Sequence, residues 1–391
     1  SIIAGYSMAA MVLTQAKAHA GSAAAISSER RSNPACACSI ATNAWPGFRV
    51  MTTALIPQIN IAPLFAEDRP ARAAVDAAIF AAAQEIGFLT ITGMPTPSAI
   101  DHTAKASLIR LFSLPEAKQR PLWKNNFEPA NPNLYRGWFP LHSGPTLSRE
   151  GYEIGPDIVR ALPDHSDDLL YQPTPLPDEA DLPGFKAVAS AYFLAMESIG
   201  LVLLASLSRS LGIPETIFSS VFEDGISTLR LLRYLPRHDL PISDALKATR
   251  GEHVDSGLLT LLAPVSGGLG LQAKNSLDEW INVPAEEGSL AVNFGGLLQR
   301  WTGGKIKATE HGVMPVDRER FSIPFFFEPR PNARIEPLPL PGIESFEPFL
   351  FGDHLWATTT RFAENFGLLH LRPHKGPYQD PLAPNLNATF L

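Results

Sequence analysis

From Arg320 to Glu328 the chain alternates. Phe321, Ile323, Phe325 and Phe327 fall on one side and Arg320 and Ser322 on the other, the two-residue period of a β-strand. The four apolar residues predict a packing face, and Pro324, which cannot donate to a ladder, predicts a bulge or a sheet edge. Strand-like runs dominate from Ser227 to Pro329, among them Ser289 to Phe294, largely apolar and ended by Gly295-Gly296. Helical signals come earlier. Ala71 to Ile86 has an acidic approach at Glu67 and Asp68, Pro70 ahead of its first turn and Gly87 at its end. A longer helix is predicted from about Asp181, an N-cap with Pro183 behind it, to Leu211, where Gly212 and Pro214 stop it. Its apolar face, with Phe185, Val188, Tyr192 and Leu203, is assigned to packing against the sheet. Pro173 to Pro177 reads as a loop, and no internal repeat is evident.

Composition narrows the class. With 45% hydrophobic and 18% charged residues among 391, the chain can bury a large core in one or two domains. A net charge of −7 argues against a nucleic-acid surface, which needs a basic field. Cys36 and Cys38 are the only cysteines, so the chain beyond them has no disulfide, fits a reducing compartment and is expected to be cytoplasmic. No stretch holds the eighteen or so uninterrupted apolar residues of a transmembrane helix, and no membrane partner is expected.

Residues 1–50 differ from the remainder. They are rich in Ala and Ser, with Glu29 the sole acid against Lys17, Arg30, Arg31 and Arg49, so subtracting this segment's +3 from −7 leaves −10 for the body. An acid-poor mixture of this kind has the character of an organellar transit peptide. Met51-Thr-Thr-Ala-Leu-Ile-Pro, however, reads as a natural start, and the preferred expectation is an over-extended leader. On either reading the leader is expected to be disordered and outside the fold.

The chemistry lies in the strand-rich half. His253 and Asp255 are two apart in Gly-Glu-His-Val-Asp-Ser-Gly, which in extended backbone points both side chains the same way, and His311 follows fifty-six residues after the Asp. Two imidazoles and a carboxylate supply three ligands to a non-haem Fe(II) and leave the opposite face of an octahedron open to substrates and dioxygen. The apolar run ahead of His311 predicts that this ligand arrives from a neighbouring part of the same sheet. Arg320 and Ser322 set a guanidinium fork beside a hydroxyl, a receptor for a ligand's carboxylate. His142, His165, His238, His354, His370 and His374 are read as structural. Arg136-Gly-Trp138-Phe139, Trp301 and Phe327 are candidate pocket residues for which packing is the simpler role.

His253-Val-Asp-Ser-Gly-Leu-Leu-Thr-Leu-Leu262, the distal His311 and Arg320-Phe-Ser-Ile-Pro324 stand in the order of the isopenicillin N synthase-like family of Fe(II)/2-oxoglutarate-dependent dioxygenases, which the chain resembles. Ile56-Pro-Gln-Ile-Asn-Ile61 looks like that family's opening strand, Ile86-Gly-Phe-Leu89 like its Gly-Phe-Phe element and Leu111-Phe-Ser-Leu-Pro115 like its Phe-Phe-x-Leu-Pro, so the likeness covers roughly residues 55 to 365. The resemblance implies a mostly β protein with flanking helices, built on a double-stranded β-helix, or jelly roll. It divides the chain into the leader 1–50, an N-terminal helical and β region 51–215, the jelly-roll domain 216–365 and a tail 366–391.

The family's activity would be oxidation, most simply hydroxylation, of a small organic molecule, with 2-oxoglutarate as co-substrate, succinate and CO2 as products and ascorbate as a reductant. In that scheme His253, Asp255 and His311 hold Fe(II), and Arg320 and Ser322 hold the far carboxylate of 2-oxoglutarate. Tyr234, in Leu231-Leu-Arg-Tyr-Leu-Pro236, falls where the family's Tyr-Pro phenol reaches co-substrate or substrate, with Leu235 inserted. Gly295-Gly296 stands where many relatives have Gly-Asp. Small-molecule substrate and dioxygen are the expected partners, and a monomer the expected state. Two other readings stay open: a 2-oxoglutarate-independent oxidase, in which Arg320 and Ser322 hold the substrate's own carboxylate, and a catalytically silent metabolite-binding jelly roll.

Overall fold

The computed structural model describes residues 55–141, 149–164, 167–236, 251–265, 270–314 and 318–382. The leader, His142, His165 and His238 lie outside the described residues. The strands are β1 (Gln58–Asn60), β2 (Phe88–Thr92), β3 (Gly137–Phe139), β4 (Arg149–Ile154), β5 (Thr228–Tyr234), β6 (Leu259–Pro264), β7 (Leu271–Lys274), β8 (Trp280–Asn282), β9 (Leu290–Phe294), β10 (His311–Val313) and β11 (Arg320–Phe327), with a small separate pair, β12 (Arg334–Ile335) and β13 (Phe349–Leu350). The helices are α1 (Arg69–Glu85), α2 (His102–Ile109), α3 (Glu116–Gln119), α4 (Phe185–Leu211), α5 (Thr216–Ser219), α6 (Gly296–Trp301) and α7 (Phe351–Thr359).

An eight-stranded sheet runs in the order β1-β2-β9-β6-β11-β5-β4-β3, antiparallel except where β1 joins β2. A three-stranded antiparallel sheet has the order β10-β7-β8. β11 lies inside the large sheet between β6 and β5, so the edge or bulge expected at Pro324 is not found. Pairing with β6 runs through Pro324↔Leu262 unbroken, while the ladder to β5 skips Ile323 and Pro324 and resumes in the same register. The missing amide therefore interrupts one ladder locally and displaces nothing.

The helices follow their local signals with one exception. The Asp68 side chain caps α1 by accepting from the Ala71 amide, with Pro70 in the first turn. α4 begins at Phe185, later than the predicted Asp181, because Gly184 takes a positive φ of 76° and cannot continue a right-handed helix backwards. Asp181 instead pairs with Lys118 at 2.9 Å. The far end stops as predicted, at Gly212 with φ 72°.

By length and composition α4 could cross a membrane, yet half of its most apolar window is buried within the fold. Phe185, Tyr192 and Leu203 are buried and Val188 partly so. The helix rests on the apolar side of β11, where Phe193 meets Phe325 edge-on at 5.0 Å. Gly200 lies flush on the Phe327 ring, leaving a Cβ only 2.6 Å. Phe321, Ile323, Phe325 and Phe327 thus form the predicted packing face. Arg136, Trp138, Phe139, Trp301 and Phe327 are likewise buried, which makes packing their role.

The opposite face of the large sheet turns to the small one. Phe88 on β2 and Ala291 on β9 join Leu271 and Ala273 on β7, with Val283, in a second apolar cluster between the two sheets.

Candidate metal centre

His253, Asp255 and His311 each place one ligand-capable atom within 4.8 Å of the others. The histidines meet through the backbone, forming an antiparallel bridge in which His253 N donates to His311 O at 3.0 Å and His311 N to His253 O at 2.9 Å. His311 opens β10 and so belongs to the small sheet, not to the sheet of Ser289 to Phe294 as expected. The physical reason is Gly295-Gly296, where the chain turns out of β9 into α6 before reaching the histidine.

Each ring has a defined orientation. His253 Nδ1 lies 2.6 Å from the Gly251 carbonyl and His311 Nδ1 3.0 Å from that of Thr309. A carbonyl only accepts, so both Nδ1 atoms carry the proton and both Nε2 lone pairs are left toward Asp255. They lie 3.4 and 3.7 Å from Asp255 Oδ1. Asp255 Oδ2 accepts from Thr260 Oγ1 on β6 at 2.6 Å and from Asn293 Nδ2 on β9 at 2.7 Å. The large sheet therefore fixes the carboxylate while the edge of the small one supplies the imidazoles.

The ligand loop is held by its carbonyls as well. Gly296 N donates to Asp255 O at 2.7 Å and Gly295 N to Leu258 O at 2.9 Å. Gly295 approaches so closely that a Cβ there would lie 2.2 Å from Gly257 O. Only glycine fits such an approach.

Electrostatics agree with a cation site. Burial opposes charge on Asp255, but the neighbouring His311 and His253 and the Thr260 hydroxyl outweigh it, holding the carboxyl far below the usual range. Burial, then His253, push the His311 pKa down. For His253 burial acts in the same direction, but the Asp255 contact prevails and raises it. The His253 side chain is 32% exposed against 8% for His311, so the centre opens on the His253 side. Two neutral imidazoles and one oriented carboxylate oxygen fit a divalent metal of the non-haem Fe(II) type.

Arg320, Ser322 and Tyr234 come together beside it. Arg320 and Tyr234 are direct cross-strand partners, and the guanidinium stands over the phenol ring with its carbon 4.2 Å from the centroid. Arg320 Nη2 is buried without a hydrogen-bond partner among the described residues. It lines a concavity with Ser322, Leu262, Leu271, Val283 and Ala291, to which the three metal-ligating candidates do not contribute. Strand geometry links the two groups. Leu262 and Ala291 stand two residues from Thr260 and Asn293 on the same strand faces, about 7 Å along β6 and β9.

Asn293 and Thr260 were not singled out from sequence, and Gly295 was noted only as the end of an apolar run and a departure from the relatives' Gly-Asp. The one available signal was Asn293 itself, a lone amide inside the apolar run Ser289 to Phe294. Of the histidines read as structural, buried His354 is hydrogen-bonded through both ring nitrogens, and exposed His370 meets Gly367 O through Nδ1.

Residues 227–329 match the family model of the 2OG-Fe(II) oxygenase superfamily, and residues 56–179 match the N-terminal model of non-haem dioxygenases in morphine synthesis. The chain is similar to the proline hydroxylase buaE of Petromyces alliaceus, 30% identical over 66% of this chain and 83% of that protein. It is also similar to isopenicillin N synthase of Streptomyces clavuligerus, 26% identical over 78% of this chain and 95% of that one. Among solved structures, a full-length Neurospora crassa protein in complex with alpha-KG and thymine is similar with a TM-score of 0.66 and 25% identity, covering 78% of this chain and 97% of that one.

Proposed function

The chain belongs to the 2OG-Fe(II) oxygenase superfamily and is a 2-oxoglutarate-dependent non-haem iron dioxygenase, and on that premise we propose which of its residues perform the reaction. His253, Asp255 and His311 hold Fe(II), and Arg320 and Ser322 hold the far carboxylate of 2-oxoglutarate, with Tyr234 beneath the guanidinium. The two sheets joined by the Phe88 and Leu271 cluster are the walls of a jelly roll. The substrate is a small organic molecule, and hydroxylation is its fate.

One observation carries this reading. The strand faces that orient Asp255 through Thr260 and Asn293 continue, two residues on, into the apolar lining beside Arg320 Nη2, which has no hydrogen-bond partner among the described residues. That arrangement suits a short dianion with one end at the metal and the other at a guanidinium. When bound, iron and 2-oxoglutarate supply the oxidising power, one oxygen atom of dioxygen entering succinate as CO2 leaves and the other entering the substrate.

The chain's own part is placement. Thr260 and Asn293 occupy Asp255 Oδ2 and turn Oδ1 toward the two Nε2 atoms, while the Gly251 and Thr309 carbonyls fix the imidazole tautomers. Leu262, Leu271, Val283 and Ala291 exclude water around the Arg320 contact, which strengthens a charge-assisted hydrogen bond. Removing one outer support should have a limited effect. Asn293→Ala weakens Fe(II) affinity about tenfold, the low end for such partners, and leaves the 2-oxoglutarate KM unchanged. An anaerobic iron titration paired with 2-oxoglutarate kinetics reads both, and a shift in the KM alone would contradict the assigned place of Asn293.

The test of the whole reading is release of succinate and CO2 from labelled 2-oxoglutarate in the presence of Fe(II), ascorbate and air. Uncoupled turnover occurs without the prime substrate, so release is expected from the protein alone. Bound iron with no succinate from any substrate tried would favour an oxidase that grips its substrate's carboxylate with Arg320 and Ser322.

A further inference from the structure

The ligand loop receives one support from outside the stretch matched by the oxygenase family model, which ends at residue 329. His354, on α7 and buried to 1% exposure, places Nε2 at 2.8 Å from the carbonyl of Ser256, the residue that follows Asp255. That carbonyl can only accept, so Nε2 carries the proton and Nδ1 is the acceptor. Tyr378 then donates its hydroxyl to Nδ1 at 3.1 Å. One turn along α7, Thr358 Oγ1 meets Ser256 Oγ at 3.3 Å.

The loop's carbonyls are thus divided between two parts of the chain. Asp255 O and Leu258 O are bonded by Gly296 and Gly295, where β9 turns into α6, whereas Ser256 O, between them, is bonded by the C-terminal segment. We infer that Tyr378 and His354 form a strut that positions Asp255, so that the C-terminal segment sets the protein's affinity for its metal. His354 is a positioning residue: it touches neither metal nor substrate and acts through the Ser256 peptide. The inference rests on the reading of His253, Asp255 and His311 as ligands.

The strut makes a graded prediction. Without a donor at position 354 the Ser256 carbonyl loses its side-chain partner, and the loop that carries Asp255 loses one of its anchors. Co(II) dissociation constants of the metal-free, full-length protein, measured by visible absorbance in oxygen-free buffer without 2-oxoglutarate, read this independently of turnover. His354→Phe should weaken Co(II) binding about tenfold, in the range for lost outer-shell partners. His354→Gln, whose amide can donate to the same carbonyl, should recover most of it. Tyr378→Phe, which removes only the contact orienting the imidazole, should fall between.

Leu355→Ala is the control, because Leu355 is also buried on the same helix and has no contact with the loop among the hydrogen bonds described. It should lower the melting temperature and leave the Co(II) constant unchanged. The strut is overturned if His354→Phe and Leu355→Ala shift Co(II) binding alike, or if His354→Gln is no better than His354→Phe. Should His354→Phe not fold, the His354→Gln and Tyr378→Phe comparison decides on the same terms. Failure of the wild type to bind Co(II) would remove the metal triad itself and the strut with it, an outcome distinct from a bound wild type with an unaffected His354→Phe.

Discussion

Asp255→Ala should lower succinate release to background and weaken iron binding by more than the roughly 10- to 100-fold that loss of an outer-shell partner costs, because on the proposed assignment it removes a ligand and the triad's only negative charge. The stronger form of the prediction concerns Asp255→Asn, which keeps the shape. Thr260 and Asn293 both donate to Oδ2. An asparagine placed there must turn its carbonyl oxygen toward those two donors, and its NH2 then points to the two imidazole Nε2 atoms and to the metal. An NH2 group cannot ligate. Asp255→Asn should therefore be as inactive as Asp255→Ala, and it should gain metal affinity when Asn293→Ala relieves one of the two donors. Anaerobic iron titration and labelled 2-oxoglutarate turnover on the three variants check this. Retention of about a tenth of wild-type turnover by Asp255→Asn would show that the carboxylate is not held in the way described.

Arg320→Ala should raise the 2-oxoglutarate KM roughly thirtyfold, the equivalent of about 2 kcal/mol for a hydrogen bond to a charged group, with Fe(II) affinity unchanged. The size follows from the buried Nη2, which has no other partner among the described residues, and from the apolar walls around it. Arg320→Lys should recover only part of the loss, since a point charge cannot reproduce the planar fork. Tyr234→Phe should change little, because the guanidinium lies over the ring and the phenyl face remains. The measurement is the KM at saturating iron beside an iron titration. If both requirements rise together, Arg320 supports the metal centre and the co-substrate grip must be sought elsewhere.

Several parts of this arrangement were legible along the chain because they are local. The alternation of Arg320 to Phe327 gave both the packing face and the opposite face that carries Arg320 and Ser322, since side-chain direction in a strand depends on nothing beyond the backbone. The pairing of His253 with Asp255 needed only extended backbone, and the N-cap of α1 only Asp68 and the amide three residues on. Where prediction failed, a choice between local options was made by distant partners. Pro324 is compatible with an edge, and it sits at the centre of a sheet because its apolar neighbours bury against α4. Asp181 is a sound cap, but Gly184 supplies the turn that starts α4.

By itself, then, the sequence determined the chemical identities: two imidazoles, a carboxylate and a guanidinium, each with its facing side, because those follow from residue type and local backbone period. Only the tertiary structure decided which sheet His311 joins, which oxygen of Asp255 faces the two imidazoles, and that His354, 98 residues beyond Ser256, bonds the Ser256 carbonyl. These depend on segments remote in sequence meeting at distances of about 3 Å, and a hydrogen bond carries no mark in the sequence of the partner it will find.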